Sequence, residues 1–217
     1  MTLTDKIHKR LRPYAREQGL LRRGRTYYTI TEDTAYCISI DNHSHDVYAH
    51  FYLLPLYMRE ENHILTYGNR LNSLPFGNIP VLQKTAAEAE IDTWVEIVTE
   101  ILDSYVLPFF RQVDSPEKML GFLALPWEAQ KDYLFCPPEH RLRLKSYTLL
   151  YLHRQEEARE VIIDLRKELD KCGYLTERLL QSLRAEADAL EAMCGWSHDE
   201  LDAFFAQSIA FTKEKCF

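Results

Sequence analysis

The residues best able to do chemistry fall between positions 22 and 50. Asp41, His43, His45, Asp46 and His50 form one polar run. In a strand, His43 and His45 would face the same way, and two imidazoles with a carboxylate can hold a divalent metal. His50 extends the set, and His63 is the further ligand within reach along the chain. A metal-dependent hydrolase using His43, His45 and His50 is therefore one reading. The competing reading is a hairpin loop, because Asp, Asn and Ser favour turns through their own hydrogen bonds.

A second set is Arg22, Arg23 and Arg25 beside Tyr27 and Tyr28. Guanidinium forks with tyrosines bind phosphate or carboxylate, or stack on a base. Alternation puts Arg23 and Arg25 on one face with Tyr27, and Tyr28 on the other. Gly24 lets the backbone bend or bulge there. An edge strand guarded by charge accounts for the same residues without any ligand.

Other reactive groups read as structural. Cys37 lies mid-strand and suits a core. As a nucleophile it would need a base, and His50 across a hairpin is the candidate. Glu88, Glu90, Asp92, Glu96, Glu100 and Asp103 read as the wet face of an amphipathic helix. The chain has seven glycines and no Gly-x-x-x-x-Gly-Lys-Ser/Thr, Gly-x-Gly-x-x-Gly, Gly-x-Ser-x-Gly or His-Glu-x-x-His motif. These absences speak against phosphate cradling by a glycine loop and leave no nucleophile elbow or zincin pattern in the sequence. No cofactor is expected.

Composition sets the outer bounds. The chain has 217 residues, of which 46% are apolar, which is enough to build a core. No run approaches the roughly 20 apolar residues a membrane helix requires, so no membrane association is expected. Five scattered cysteines without a Cys-x-x-Cys pair, and an N-terminus without an apolar leader, point to a reduced, cytoplasmic setting. The net charge is −7, yet residues 1–28 carry eight Lys and Arg side chains against Asp5 and Glu17. A solvated helix face plus a turn is the first account of that asymmetry; an acidic protein partner comes second, and nucleic acid last, because an acidic molecule is repelled at long range. The sequence sets no oligomeric state.

The elements that must position these groups follow from periodicity. Residues 4–18 read as a helix capped by Thr4 and ended by Gly19, with Pro13 as an irregularity. Strands follow over 25–30, 35–40 and 47–56, with a fourth over 64–67, forming an antiparallel meander. Residues 68–84 read as loop. A capping box at Thr85-Ala86-Ala87-Glu88 opens a long helix, whose stripe of Trp94, Ile97, Val98, Ile101, Leu102, Tyr105 and Phe109 should cross one sheet face. Ser115-Pro116 starts another helix. Beyond it, helices read as about 139–153, 156–171, 175–193 and 198–214, with Gly173 and Gly195 as terminal caps. The first two of these form a hairpin like a single tetratricopeptide unit. The expectation is an α+β domain over 1–125 and a helical subdomain over 126–217.

Residues 5–125 resemble a bacterial family known as domain of unknown function 4304. The likeness rests on Gly19-Leu20, on Arg23-Gly24-Arg25-Thr26-Tyr27-Tyr28 running into alternating strands, on Asp92-x-Trp94, and on Leu107-Pro108-Phe109-Phe110. The resemblance implies an α+β domain and carries no activity. With no assembled catalytic set, the sequence favours a non-catalytic, cytoplasmic protein-binding module. Its partner would dock at the Arg22–Tyr28 edge or on the helical tail. The metal-dependent hydrolase is the alternative, and weak nucleic-acid or anion binding at that edge stands third.

Overall fold

The computed structural model describes residues 2–43, 45–62, 65–74 and 79–217. It is an α+β protein with a small antiparallel sheet and a helical C-terminal part. Two compact units form. The first comprises Met1–Leu54, Ile64–Asp114 and Trp127–Phe135, and the second Pro55–His63, Ser115–Pro126 and Cys136–Phe217.

In the first unit, α1 (Leu3–Glu17) opens on Thr2, not Thr4, because Thr2 and Asp5 form a reciprocal capping box. Pro13 sits within the helix without ending it. Its exposed position leaves the carbonyl it cannot satisfy open to water. Gly19 follows the helix end at φ 67°, the left-handed conformation a residue without Cβ adopts cheaply.

The strands run β1 (Leu21–Arg23), β2 (Thr26–Ile30), β3 (Thr34–Asn42), β4 (Asp46–Pro55), β5 (Gly68–Arg70) and β6 (Leu82–Gln83). Neighbours run β1-β2-β3-β4-β5, and β6 pairs with β4. The expected fourth strand over 64–67 is instead a 3-10 turn at Leu65–Tyr67 leading into β5, so part of the expected loop is strand. Ile64, and the loop signals Pro75, Gly77 and Asn78, lie outside the described residues.

The sheet has two unlike faces. Tyr27, Tyr36, Ile38 and Phe51 meet the helices. Tyr27 Oη lies 2.9 Å from His8 Nδ1 on α1, and the Phe51 ring sits 6.1–6.5 Å from Tyr105, Phe109 and Phe110. On the other face, Thr26 pairs with Ser39 and Tyr28 with Cys37, in line with Asp41, His43, Tyr48 and His50.

The expected long helix is α2 (Glu88–Ile101), which continues through a π turn (Leu102–Val106) into α3 (Leu107–Gln112). The π turn falls where Pro108 withdraws an N–H, so the wider ring re-seats the ladder without a sharp kink. Ala87, not Thr85, precedes the helix, and its N–H donates to Glu90 Oε2 at 2.6 Å. The stripe is Ile91, Trp94, Val95, Val98, Leu102, Tyr105 and Phe109, all buried, whereas Ile97 and Ile101 are only half-buried. The acids of α2 are not simply its wet face. Glu88 pairs with Lys6 and Arg10, Asp92 with Arg10, and Asp103 accepts from Tyr14 Oη at 2.8 Å, which ties α1 to α2 and its π turn.

The second unit is helical. It comprises α4 (Pro116–Leu123), capped by Ser115, then α6 (Pro138–Tyr151), α7 (Gln155–Lys171), α8 (Glu177–Met193) and α9 (His198–Cys216); the short α5 (Trp127–Gln130) belongs to the first unit. Helices α6 and α7 form the expected hairpin, turned by His153 at φ 57°. Gly173 and Gly195 follow α7 and α8 but neither takes a left-handed φ. Within this unit, Arg143 on α6 donates to Glu60 at 3.2 Å and to Glu186 on α8 at 2.8 Å, and Tyr147 Oη donates to Glu186 at 2.7 Å.

Candidate functional site

The basic segment builds a cleft on the first unit. After Gly19 reverses the chain, β1 runs out and β2 returns, with Leu21 opposite Tyr28, Arg22 opposite Tyr27 and Arg23 opposite Thr26. Gly24 and Arg25 are the two-residue turn between them, with Gly24 at φ 59°, a geometry that suits a first central glycine. This turn resets the alternation expected for one continuous strand. Arg22, not Arg23, therefore shares the Tyr27 face, and its guanidinium lies 5.9 Å from the Tyr27 ring centroid. Arg22 Nε also donates to Gly24 O at 2.9 Å, which fixes the side chain against the turn.

The resulting cleft has a volume of about 650 Å³. Arg12, Ala15 and Arg16 form its α1 wall; Leu20, Leu21, Arg22 and Tyr27 form the other. Three arginines thus share the lining with apolar Ala15, Leu20 and Leu21 and the Tyr27 ring. Lys6 and Arg10 spend their charge on α2, but the side chains of Arg12 and Arg16 make no ion pair among the described residues. Leu21 is 60% exposed at the rim. Among the described residues β1 pairs only with β2, so it is a sheet edge. In a two-residue hairpin the flanking pair Arg23–Thr26 is hydrogen-bonded, and bonded pairs alternate. By that alternation the main-chain N–H and C=O of Arg22 point away from β2.

Behind the cleft, His8 is buried, and burial with the nearby charges of Arg22 and Arg25 lowers its pKa to about 4, against an opposing pull from Asp5. Its Nε2 has no hydrogen-bond partner among the described residues. Tyr27 is pushed up by burial, so its hydroxyl stays protonated. We expect the His8 ring to titrate near 4 in an NMR pH series rather than at its ordinary 6.5. The unfolded chain then binds more protons between those two values, so this histidine's contribution to stability is lost as pH falls from about 6.5 to about 4. A titration midpoint near 6.5 would contradict the burial.

Of the residues singled out in the sequence, Arg22 and Tyr27 line the cleft. Arg23 lies on the opposite face of the hairpin, Arg25 is in the turn, and Tyr28 is buried on the far face of the sheet. Sequence reasoning missed Arg12 and Arg16. The available signal was their four-residue spacing on α1, off the stripe that carries Lys6 and Arg10.

The histidines do not gather. His43 and His45 are exposed at the β3–β4 hairpin, which His43 N–H closes onto Asp46 O at 2.9 Å. His50 is buried on β4, with Nε2 at 3.6 Å from Asp41 Oδ2. His43 lies edge-on to Tyr48. Among the described residues no three His, Cys, Asp or Glu side chains stand close enough together to hold a metal ion. Ser44 and His63 lie outside the described residues.

No helix of the described residues is long and apolar enough to cross a membrane. A scan against protein-family models found no match, and neither did searches of curated proteins and of solved structures.

Proposed function

We propose that the protein is a non-catalytic binding module that receives an acidic segment of a partner protein in the α1–β1 cleft. One observation carries this reading: Arg12, Arg16 and Arg22 line one open cleft beside β1, which pairs only with β2 among the described residues. Bidentate guanidinium contacts suit carboxylates. The outward main-chain groups of Arg22 suit an extended chain adding along β1. Leu21 and Tyr27 offer apolar contact to the residues between the acids.

The test is fluorescence anisotropy with a labelled ten-residue peptide alternating Glu with Val or Leu, against a Gln-substituted control. We expect saturable binding of the acidic peptide that weakens as salt is raised. The double variant Arg12→Glu/Arg16→Glu should weaken it at least about tenfold, since each lost charge-assisted contact is worth roughly 1.5–3 kcal/mol. Binding that is unchanged in that variant, or equal for the Gln peptide, would remove the reading. Tighter capture of a single-stranded oligonucleotide than of the peptide would replace it with a nucleic-acid site.

A further inference from the structure

A second cavity lies on the same unit, on the polar face of the sheet. Its volume is about 370 Å³, within the range typical of small-ligand sites, and His50, Asn69, Arg70, Ser73 and Phe135 line it. Its groups come from separate stretches of chain. His50 stands directly opposite Arg70 in the β4–β5 ladder, so both side chains share one face. The Phe135 N–H donates to Gly68 O at 3.2 Å, which brings Phe135 to the end of β5.

The state of these groups points to a ligand. The His50 residue is 4% exposed, and its Nε2 has no hydrogen-bond partner among the described residues. The Arg70 guanidinium lies over the Tyr48 ring at 5.2 Å and makes no ion pair among the described residues. Arg70 is exposed, and so is Ser73, a further hydroxyl donor. Phe135 is 67% exposed, with the Trp127 ring 6.4 Å from its own. Asn69 is already engaged: its Nδ2 donates to Asp132 O at 3.0 Å and its Oδ1 accepts from the Arg70 N–H at 2.8 Å. The Asp41 carboxylate accepts from Ser39 Oγ at 3.0 Å and lies outside the lining, with its Oδ2 3.6 Å from His50 Nε2, beyond hydrogen-bond distance. The cavity therefore offers a guanidinium with no ion pair among the described residues, a hydroxyl at Ser73, an imidazole whose Nε2 makes no hydrogen bond among them, and one exposed aromatic surface.

We propose that this cavity binds a small organic acid, its carboxylate on Arg70 and its apolar body against Phe135, with His50 and Ser73 bonding its polar edge. A planar guanidinium matches a carboxylate bidentately, and an exposed ring beside it favours a ligand with an apolar part over a bare ion. Burial and the neighbouring Arg70 and His43 keep His50 neutral against the pull of Asp41, so it offers the acid a hydrogen bond rather than a second charge.

The probe is benzoate, titrated into the full chain while the His50 ring signals and Trp127 fluorescence are followed. We expect saturable shifts at His50 with millimolar affinity. Arg70→Gln should weaken binding at least tenfold, and Phe135→Ala about fivefold. Arg70 and Phe135 are exposed, so both variants should fold, and far-ultraviolet circular dichroism checks this. Inorganic phosphate should bind more weakly than benzoate. The Arg12→Glu/Arg16→Glu variant should bind benzoate as the unaltered chain does, which separates this site from the α1–β1 cleft. Absence of a saturable His50 shift, undiminished binding by Arg70→Gln, phosphate binding as tight as benzoate, or loss of benzoate binding in the α1 variant would each overturn the proposal.

Discussion

Gly68→Ala is expected to destabilise the first unit by about 3 kcal/mol or more, the upper range for forcing extra atoms into a filled site. Gly68 faces Tyr52 in the β4–β5 ladder. A Cβ there would sit 1.9 Å from Phe51 O and 2.6 Å from both Tyr52 Cα and Cβ. Phe51 and Tyr52 are buried in β4, and two of the three clashing atoms are main chain, so no side-chain rotation relieves the overlap. β5 must lift away, and the Phe135–Gly68 hydrogen bond goes with it. Urea denaturation measures the loss. Two controls separate space from backbone conformation. Gly121 lies in α4 with nothing within 4 Å of an added Cβ, so Gly121→Ala should stabilise by about 1 kcal/mol through helix propensity. Gly19 also has open space but φ 67°, so Gly19→Ala should cost about 1 kcal/mol. A Gly68→Ala midpoint equal to that of the unaltered chain would mean that β5 does not lie against β4.

Arg143→Met should be the most damaging charge removal in the second unit, costing about 3 kcal/mol at neutral pH because it leaves two half-buried carboxylates facing each other without their shared cation. The Arg143, Glu60 and Glu186 side chains are 13%, 15% and 23% exposed, so water replaces the guanidinium only in part. The effect carries a pH signature. Burial raises the Glu60 pKa above its ordinary 4.5, Arg143 opposes that rise, and Glu186 adds to it. With Arg143 gone, the opposing influence disappears and the folded-state value climbs further. Between 4.5 and that raised value the folded chain then holds a proton that the unfolded chain has released. The variant therefore gains stability as pH falls through this window, and its deficit should shrink to roughly half by the lower end. Unfolding curves for both chains across that range test this. A deficit that grows on acidification would show that Glu60 is not buried as described.

Helix rhythm was legible in the sequence because it is a local property. The four expected C-terminal helices end within two residues of those observed, since Pro137-Pro138, His153-Arg154 and the Ser197 capping box act over a single turn. The strand meander was legible through its alternation, and the α+β class followed. The errors lie in the short strands and at caps: β1, β5 and β6 carry too few residues to show an alternation, and the expected strand over 64–67 is a 3-10 turn at Leu65–Tyr67. Thr4 and Thr85 were plausible caps by type, but Thr2 and Ala87 hold the positions, because the side chain that completes each cap, Asp5 or Glu90, sits three residues further on.

The site was legible only in part. Arg22 and Tyr27 were found because they are close in sequence and chemically distinctive. Arg12 and Arg16 were not, since on α1 they are indistinguishable by type from Lys6 and Arg10. What separates them is that α2 supplies Glu88 and Asp92 to one stripe of the helix and none to the other.

By itself the sequence determined the long helices and the three longer strands, their order, and the concentration of positive charge near the front of the chain. Tertiary structure decided which of those charges remain uncompensated, and that two cavities of opposite placement, one beside α1 and one on the far sheet face, share a single unit. The reason is range. Periodicity and capping act over a few bonds, whereas neutralisation of a guanidinium depends on carboxylates that arrive from some 80 residues away.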